Sequence, residues 1–301
     1  MLLGAEGARP EAPPNTAVAD VLRLVPDGAG FYRASANPSS DGATALLQSL
    51  LSPHSAAPPP TQFAPPPTAE AGIVGSESDL ETRIDQPPLV QAQLGAQPLR
   101  DLIDSAHLIA LLQIKSSRAM PDGVFVGHET ALVLVASSDW NDAAVRDLLQ
   151  RQLDPQWTTA QLGVKWVEEG QGSQAYSRLD GLASLFMAAR GKYLVLANAD
   201  APLRSVLANF SKPAARESAT YAAGFLHSRE GKPFSRMTSL IDRNGGQSSV
   251  PGEVPEANRP HFFSKNIAGL SRTLSGVASE TIVSRDTGVQ VQQTVTYRWS
   301  Q

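Results

Sequence analysis

The chain has 301 residues, a formal net charge of -4 and no cysteine. The missing cysteine excludes disulfides, thiol catalysis, thiolate metal sites and a cysteine-linked lipid anchor on these residues. The acidic balance argues against a general nucleic-acid surface, and no apolar run approaches the roughly 20 residues of a membrane-spanning helix.

In chain order, residues 1–15 (MLLGAEGARPEAPPN) are polar and rich in Ala and Pro, which predicts disorder. This stretch has neither a basic n-region nor an apolar h-region, so no signal peptide is expected in it. TAVADVLRL (16–24) predicts a short helix stopped by Pro26 and Gly28. GFYRASA (30–36) predicts a strand. Asp41 is expected to cap a helix over ATALLQSLL (43–51). Residues 52–72 hold two Pro-Pro-Pro runs, which favour extended backbone and predict a linker or surface loop.

Past residue 80 the pattern becomes regular. Pro98 opens a helix over LRDLIDSA, and HLIALLQIK (107–115) reads as a strand. Gly123 to Gly127 and TALVLVA (130–136) predict a hairpin turning near Gly127–Glu129, and Asp139 is expected to cap the helix that follows. Residues 164–167 and 175–179 flank the turn EEGQGS, and 185–189 and 193–197 flank Arg190–Gly191–Lys192. Asp200 is expected to cap APLRSVLANF. ALVLVASSDWNDAAVRDLL (131–149) and KYLVLANADAPLRSVL (192–207) share one plan of apolar strand, polar turn and amphipathic helix, which suggests a strand–strand–helix repeat.

ATYAAGFLH (219–227) predicts a strand and 231–242 a helix. Residues 244–258 have the composition of a flexible loop. Phe262 to Leu274 suits a helix. The last predicted unit is a hairpin of 277–285 and 289–299 through Asp286–Thr287–Gly288. Val289, Val291, Val295, Tyr297 and Trp299 alternate with polar residues, which predicts one buried face. Gln293 interrupts that face and is expected to find a hydrogen bond or a sheet edge.

Together these elements predict an α+β fold. It is a predominantly antiparallel sheet of repeated strand–strand–helix units, with helices packed on one face. Residues 16–301 are expected to form one domain, with two repeat-like halves as a possible division.

The chemical motifs are weak. His128–Glu129 begins a zinc-type H-E-x-x-H, but the second histidine position is Leu132. Gly170, Gly172 and Ala175 match G-x-G-x-x-A without the following helix that a dinucleotide needs, so a hairpin turn is expected. The histidines at 54, 107, 128, 227 and 261 are scattered, and Glu168–Glu169 read as a strand end. No catalytic, cofactor-binding or metal-ligating residue is assigned. The basic cluster Arg229, Lys232, Arg236 and Arg243 is the candidate patch for an anionic partner.

LDGLASLFMAARGKYLVLANADAPLRSVL (179–207) and ASETIVSRDTGVQVQQTVTYRW (278–299) resemble bacterial proteins of the domain of unknown function 3352 family. That resemblance implies an exported or envelope-associated protein and supplies no catalytic residue. The expected function is a non-catalytic cell-envelope module that binds or supports through a sheet surface or a groove between sheet and helices. A hydrolase assembled from distant segments is the alternative.

Overall fold

The computed structural model describes residues 17–52, 96–119, 126–158, 163–213, 219–233, 276–286 and 288–300. The segment 1–15, nearly all of the Pro-rich stretch and the loop 244–258 lie outside these, as do the helices expected over 262–274 and most of 231–242.

The helices include α1 (Ala17–Leu22), α2 (Ser40–Leu51), α3 (Ala96–Ala106), α4 (Asp142–Trp157) and α5 (Asp200–Ala208), and residues 227–233 are also helical. The strands are β1 (Phe31–Ala36), β2 (Leu108–Ala119), β3 (Val126–Ala136), β4 (Lys165–Glu169), β5 (Tyr176–Asp180), β6 (Ser184–Arg190), β7 (Tyr193–Ala197), β8 (Tyr221–Phe225), β9 (Val277–Asp286) and β10 (Val291–Trp299). They form one sheet in the order β10-β9-β8-β1-β2-β3-β7-β6-β5-β4. Every neighbouring pair is antiparallel. The α+β class and the antiparallel sheet therefore hold.

The placement of helices on one face does not hold. In β3, Ala131, Val133 and Val135 pack with Val18 and Val21 of α1 and Leu203 and Val206 of α5. Their neighbours Leu132 and Leu134 point the other way, among Leu47 of α2, Leu99 of α3 and Leu149 of α4. Helices therefore cover both faces. The cause is visible in the strands themselves: a sheet covered on one side alternates apolar with polar, whereas TALVLVA and KYLVLA are apolar on both sides. The two repeat-like units also part company here. Their strands β3 and β7 are direct neighbours, yet α4 and α5 leave to opposite faces.

None of the three expected helix caps holds: two are taken by other residues, and α5 starts after Ala199 with no side-chain cap. Ser39 caps α2 by accepting from Gly42 N–H at 3.2 Å, while Asp41 sits in the first turn and pairs with Arg100 of α3 at 3.0 Å. Asn141 caps α4, accepting from Ala144 N–H at 3.1 Å. Asp139 misses that role because the backbone there is tied to the β6–β7 turn, with Trp140 N–H bonded to the Gly191 carbonyl at 2.9 Å. Asp200 is already inside α5, and its carboxylate accepts from the Tyr176 hydroxyl at 2.6 Å. The β2–β3 hairpin is also longer than expected. Gly127 to Glu129 lie within β3, where His128 pairs with Ser117, rather than at the turn.

The C-terminal hairpin forms antiparallel as expected, but its connection is longer: Asp286 belongs to β9, Val289 and Gln290 precede β10, and the register runs from Val291 opposite Asp286 to Arg298 opposite Ser279, with an irregularity before Trp299. Asp286 accepts from Gly288 N–H at 2.8 Å, and Gly288 takes a φ of 78°, the left-handed conformation that such turns favour. The expected burial of one face fails. β10 is the outermost strand, and all nine of its residues are exposed. Alternation reports that a strand has an apolar side; it does not report what that side meets. Gln293, the polar residue on that side, does lie at a sheet edge.

Candidate functional site

The two edges of the sheet differ in chemistry. β4 is five residues long and carries Lys165, Glu168 and Glu169. Its two carboxylates are already engaged within the chain. Arg146 of α4 donates to Glu168 and lies 5.6 Å from the Trp166 ring centre, Ser177 donates to Glu168 at 3.1 Å, and Arg178 pairs with Glu169 at 2.8 Å. The Arg146 hydrogen bond holds the Glu168 carboxyl below its ordinary range, aided by Ser177 and opposed by partial burial. Short, charged edge strands resist pairing with another chain.

β10 has none of these protections. It is nine residues long, contains no proline or lysine, and has Arg298 as its single charge. Val291, Val295, Tyr297 and Trp299 are 70%, 44%, 49% and 66% exposed. Val295 is the register partner of Ile282, which pairs in turn with Ala223, and Ala223 with Arg33. The apolar side of β10 thus continues the sheet face on which α2, α3 and α4 pack further along. Among the described residues, no strand pairs with its outer edge. With no partner strand among the described residues, that edge offers its peptide groups beside an apolar row, the chemistry by which an extended segment is added to a sheet.

The basic cluster is only partly in view. Arg229 is exposed, but it donates to the Gly28 carbonyl and lies 3.8 Å from Glu230. Lys232 is exposed, while Arg236 and Arg243 lie outside the described residues. Glu230 is the more informative neighbour. It is 7% exposed and accepts from Ser117 N–H at 3.1 and 3.3 Å, which fastens the helical residues 227–233 to β2. Gly30 makes room for it: a Cβ there would fall 1.7 Å from Glu230 Oε1. No periodicity or motif marks Glu230; its burial follows from tertiary neighbours.

Register also brings Ser117 Oγ within 3.4 Å of His128 Nδ1. His227 Nε2 lies 3.7 Å from Glu280 and stacks edge-on with Phe225. Among the described residues, no group of three or more His, Asp or Glu side chains is arranged to hold a metal ion, and no helix is long and apolar enough to cross a membrane. The glycines of G-x-G-x-x-A occupy the β4–β5 connection, with φ values of 69° at Gly170 and 58° at Gly172, so this motif is a turn. Asn209, which opens an Asn-Phe-Ser sequence, is buried and donates to the Leu24 and Val25 carbonyls at 3.3 and 3.2 Å, a structural role.

Comparison with protein-family models, curated proteins and solved structures finds no match.

Proposed function

We propose that this chain is a non-catalytic binding or structural module that works by strand addition at the outer edge of β10. The observation that carries the reading is the exposed apolar alternation of Val291, Val295, Tyr297 and Trp299 on an edge with a single charge and no partner strand among the described residues. An edge with this composition invites association. The setting we propose is the bacterial cell envelope, on the strength of the resemblance of 179–207 and 278–299, and fractionation of the native cells tests it.

A direct test uses a labelled peptide of residues 290–300 as an extended probe. The full-length chain at high dilution should bind it with micromolar affinity, read by fluorescence anisotropy. Val295→Lys should abolish the binding while leaving the far-UV spectrum and melting temperature in place. A native chain that ignores the probe at all accessible concentrations contradicts the reading.

The hydrolase alternative has one specific observation in its favour, the Ser117–His128 contact. Against it stand the exposed position of the pair on a hairpin and the commitment of both Glu230 oxygens to the Ser117 backbone. Covalent labelling of Ser117 by a fluorophosphonate, lost in His128→Ala, would favour the enzyme.

A further inference from the structure

We propose that the occupant of the β10 edge is a second copy of this chain, added antiparallel about a two-fold axis through Val295. This rests on the strand-addition reading and names its partner.

The strand is self-complementary in that register. Pairing about Val295 runs the whole length from Val291 to Trp299. Val295 meets its own counterpart, Tyr297 faces Gln293 of the second copy, and Trp299 faces Val291. Because the axis is perpendicular to the sheet, the apolar side of one copy continues into the apolar side of the other. A slip by one residue would instead set apolar side chains beside polar ones. The charge pattern also agrees. Arg298 is the only charged residue of the strand, and this register sets it opposite Gln292 rather than opposite another arginine. Like charges directly opposite one another destabilise a strand pair. Moving the axis to Thr294 or Thr296 shortens the paired stretch and loses the Val295–Val295 contact. A closed, two-fold interface of this kind also removes the exposed edge from both copies, so association stops at the dimer.

The absence of native cysteine makes the test clean. Paired residues in an antiparallel sheet have Cα atoms about 4.5–5.5 Å apart, within the roughly 4.4–6.8 Å that a disulfide spans. Gln293 and its own counterpart would be offset by four residues, roughly 13 Å along the strand, beyond that reach. The full chain should sediment as a dimer of 31.9 kDa subunits at micromolar concentration. Val295→Cys should form a covalent dimer under mild oxidation, whereas Gln293→Cys and an exposed control, Gly172→Cys, should not. Val295→Lys should be monomeric with an unchanged melting temperature. A native chain that is monomeric throughout this range, or Val295→Cys linking no faster than Gly172→Cys, overturns the proposal. If the chain is monomeric yet binds the 290–300 probe, the second copy is ruled out and strand addition stands. If the probe fails as well, both readings fall. Should Val295→Lys fail to fold, the sedimentation of the native chain and the cysteine pair still decide the matter.

Discussion

The Tyr32 side chain fills the place that a side chain at Gly224 would take. The two are register partners on β1 and β8, and a Cβ on Gly224 would fall 2.2 Å from Tyr32 Cε1 and 2.6 Å from Cζ. Gly224 is thus required for space. Burial raises the Tyr32 phenol above its ordinary range, partly offset by the charge of Arg298 from β10. Gly224→Ala should cost about 1–3 kcal/mol through overpacking. Tyr32→Ala in the same chain should cancel much of that penalty, because neighbours that share one space are not additive. Denaturant unfolding of the native chain, the two single variants and the double variant measures the coupling, and strict additivity contradicts it.

The caps offer a paired comparison. Asn141→Ala should destabilise by about 0.5–2 kcal/mol, the usual range for a lost N-cap. Asp139→Ala, two residues earlier, should stay within roughly 0.5 kcal/mol of the native chain. Thermal melts of both decide it. The reverse order would return the cap to Asp139.

Tyr176 links β5 to the start of α5. Burial, then the hydrogen bond to Asp200 and its charge, push the phenol up from 10.0 to about 12. The folded state therefore holds the proton more tightly than the unfolded chain does. That contribution to stability is fully present below pH 10.0 and is lost as the pH rises toward about 12. The difference in tyrosinate absorbance between the native chain and Tyr176→Phe should titrate near the upper value. Asp200→Asn should move it down. A difference curve centred near 10.0 removes the proposed link.

Removal of β10 should leave a folded protein. Its nine residues are all exposed, so a chain ending at Gly288 gives up little core burial. It should melt in one cooperative transition, below the native temperature by less than Leu134→Ala. Leu134 is fully buried in β3, and its truncation should cost about 2–5 kcal/mol. Calorimetry of the two variants ranks them. Failure of the shortened chain to fold would make β10 part of the core.

Most strands and several turns were legible because their signals are local. The Gly191 and Gly288 turns, the β4–β5 connection and the apolar runs of β3 and β7 need only adjacent residues to explain them. The faces and neighbours were harder. A continuous apolar run in a strand implies two buried faces, but not which helices cover them. That Glu230 meets Ser117, or that Tyr32 meets Gly224, depends on segments more than a hundred residues apart in the chain. The role of β10 depended on its position in the sheet order, which alternation within one strand does not encode.

The placement of β1 between β2 and β8 has a consequence for how the protein is made. β1 is synthesised before β2, which covers one of its edges. Among the described residues, the strand that covers its other edge is Tyr221–Phe225, which is made long after β1. Sheets closed by such distant pairings form slowly and pass through states with open edges. For this chain the hazardous interval is translation itself: a nascent polypeptide arrested before β8 would carry a half-built sheet with a bare inner strand, a natural client for a ribosome-associated chaperone.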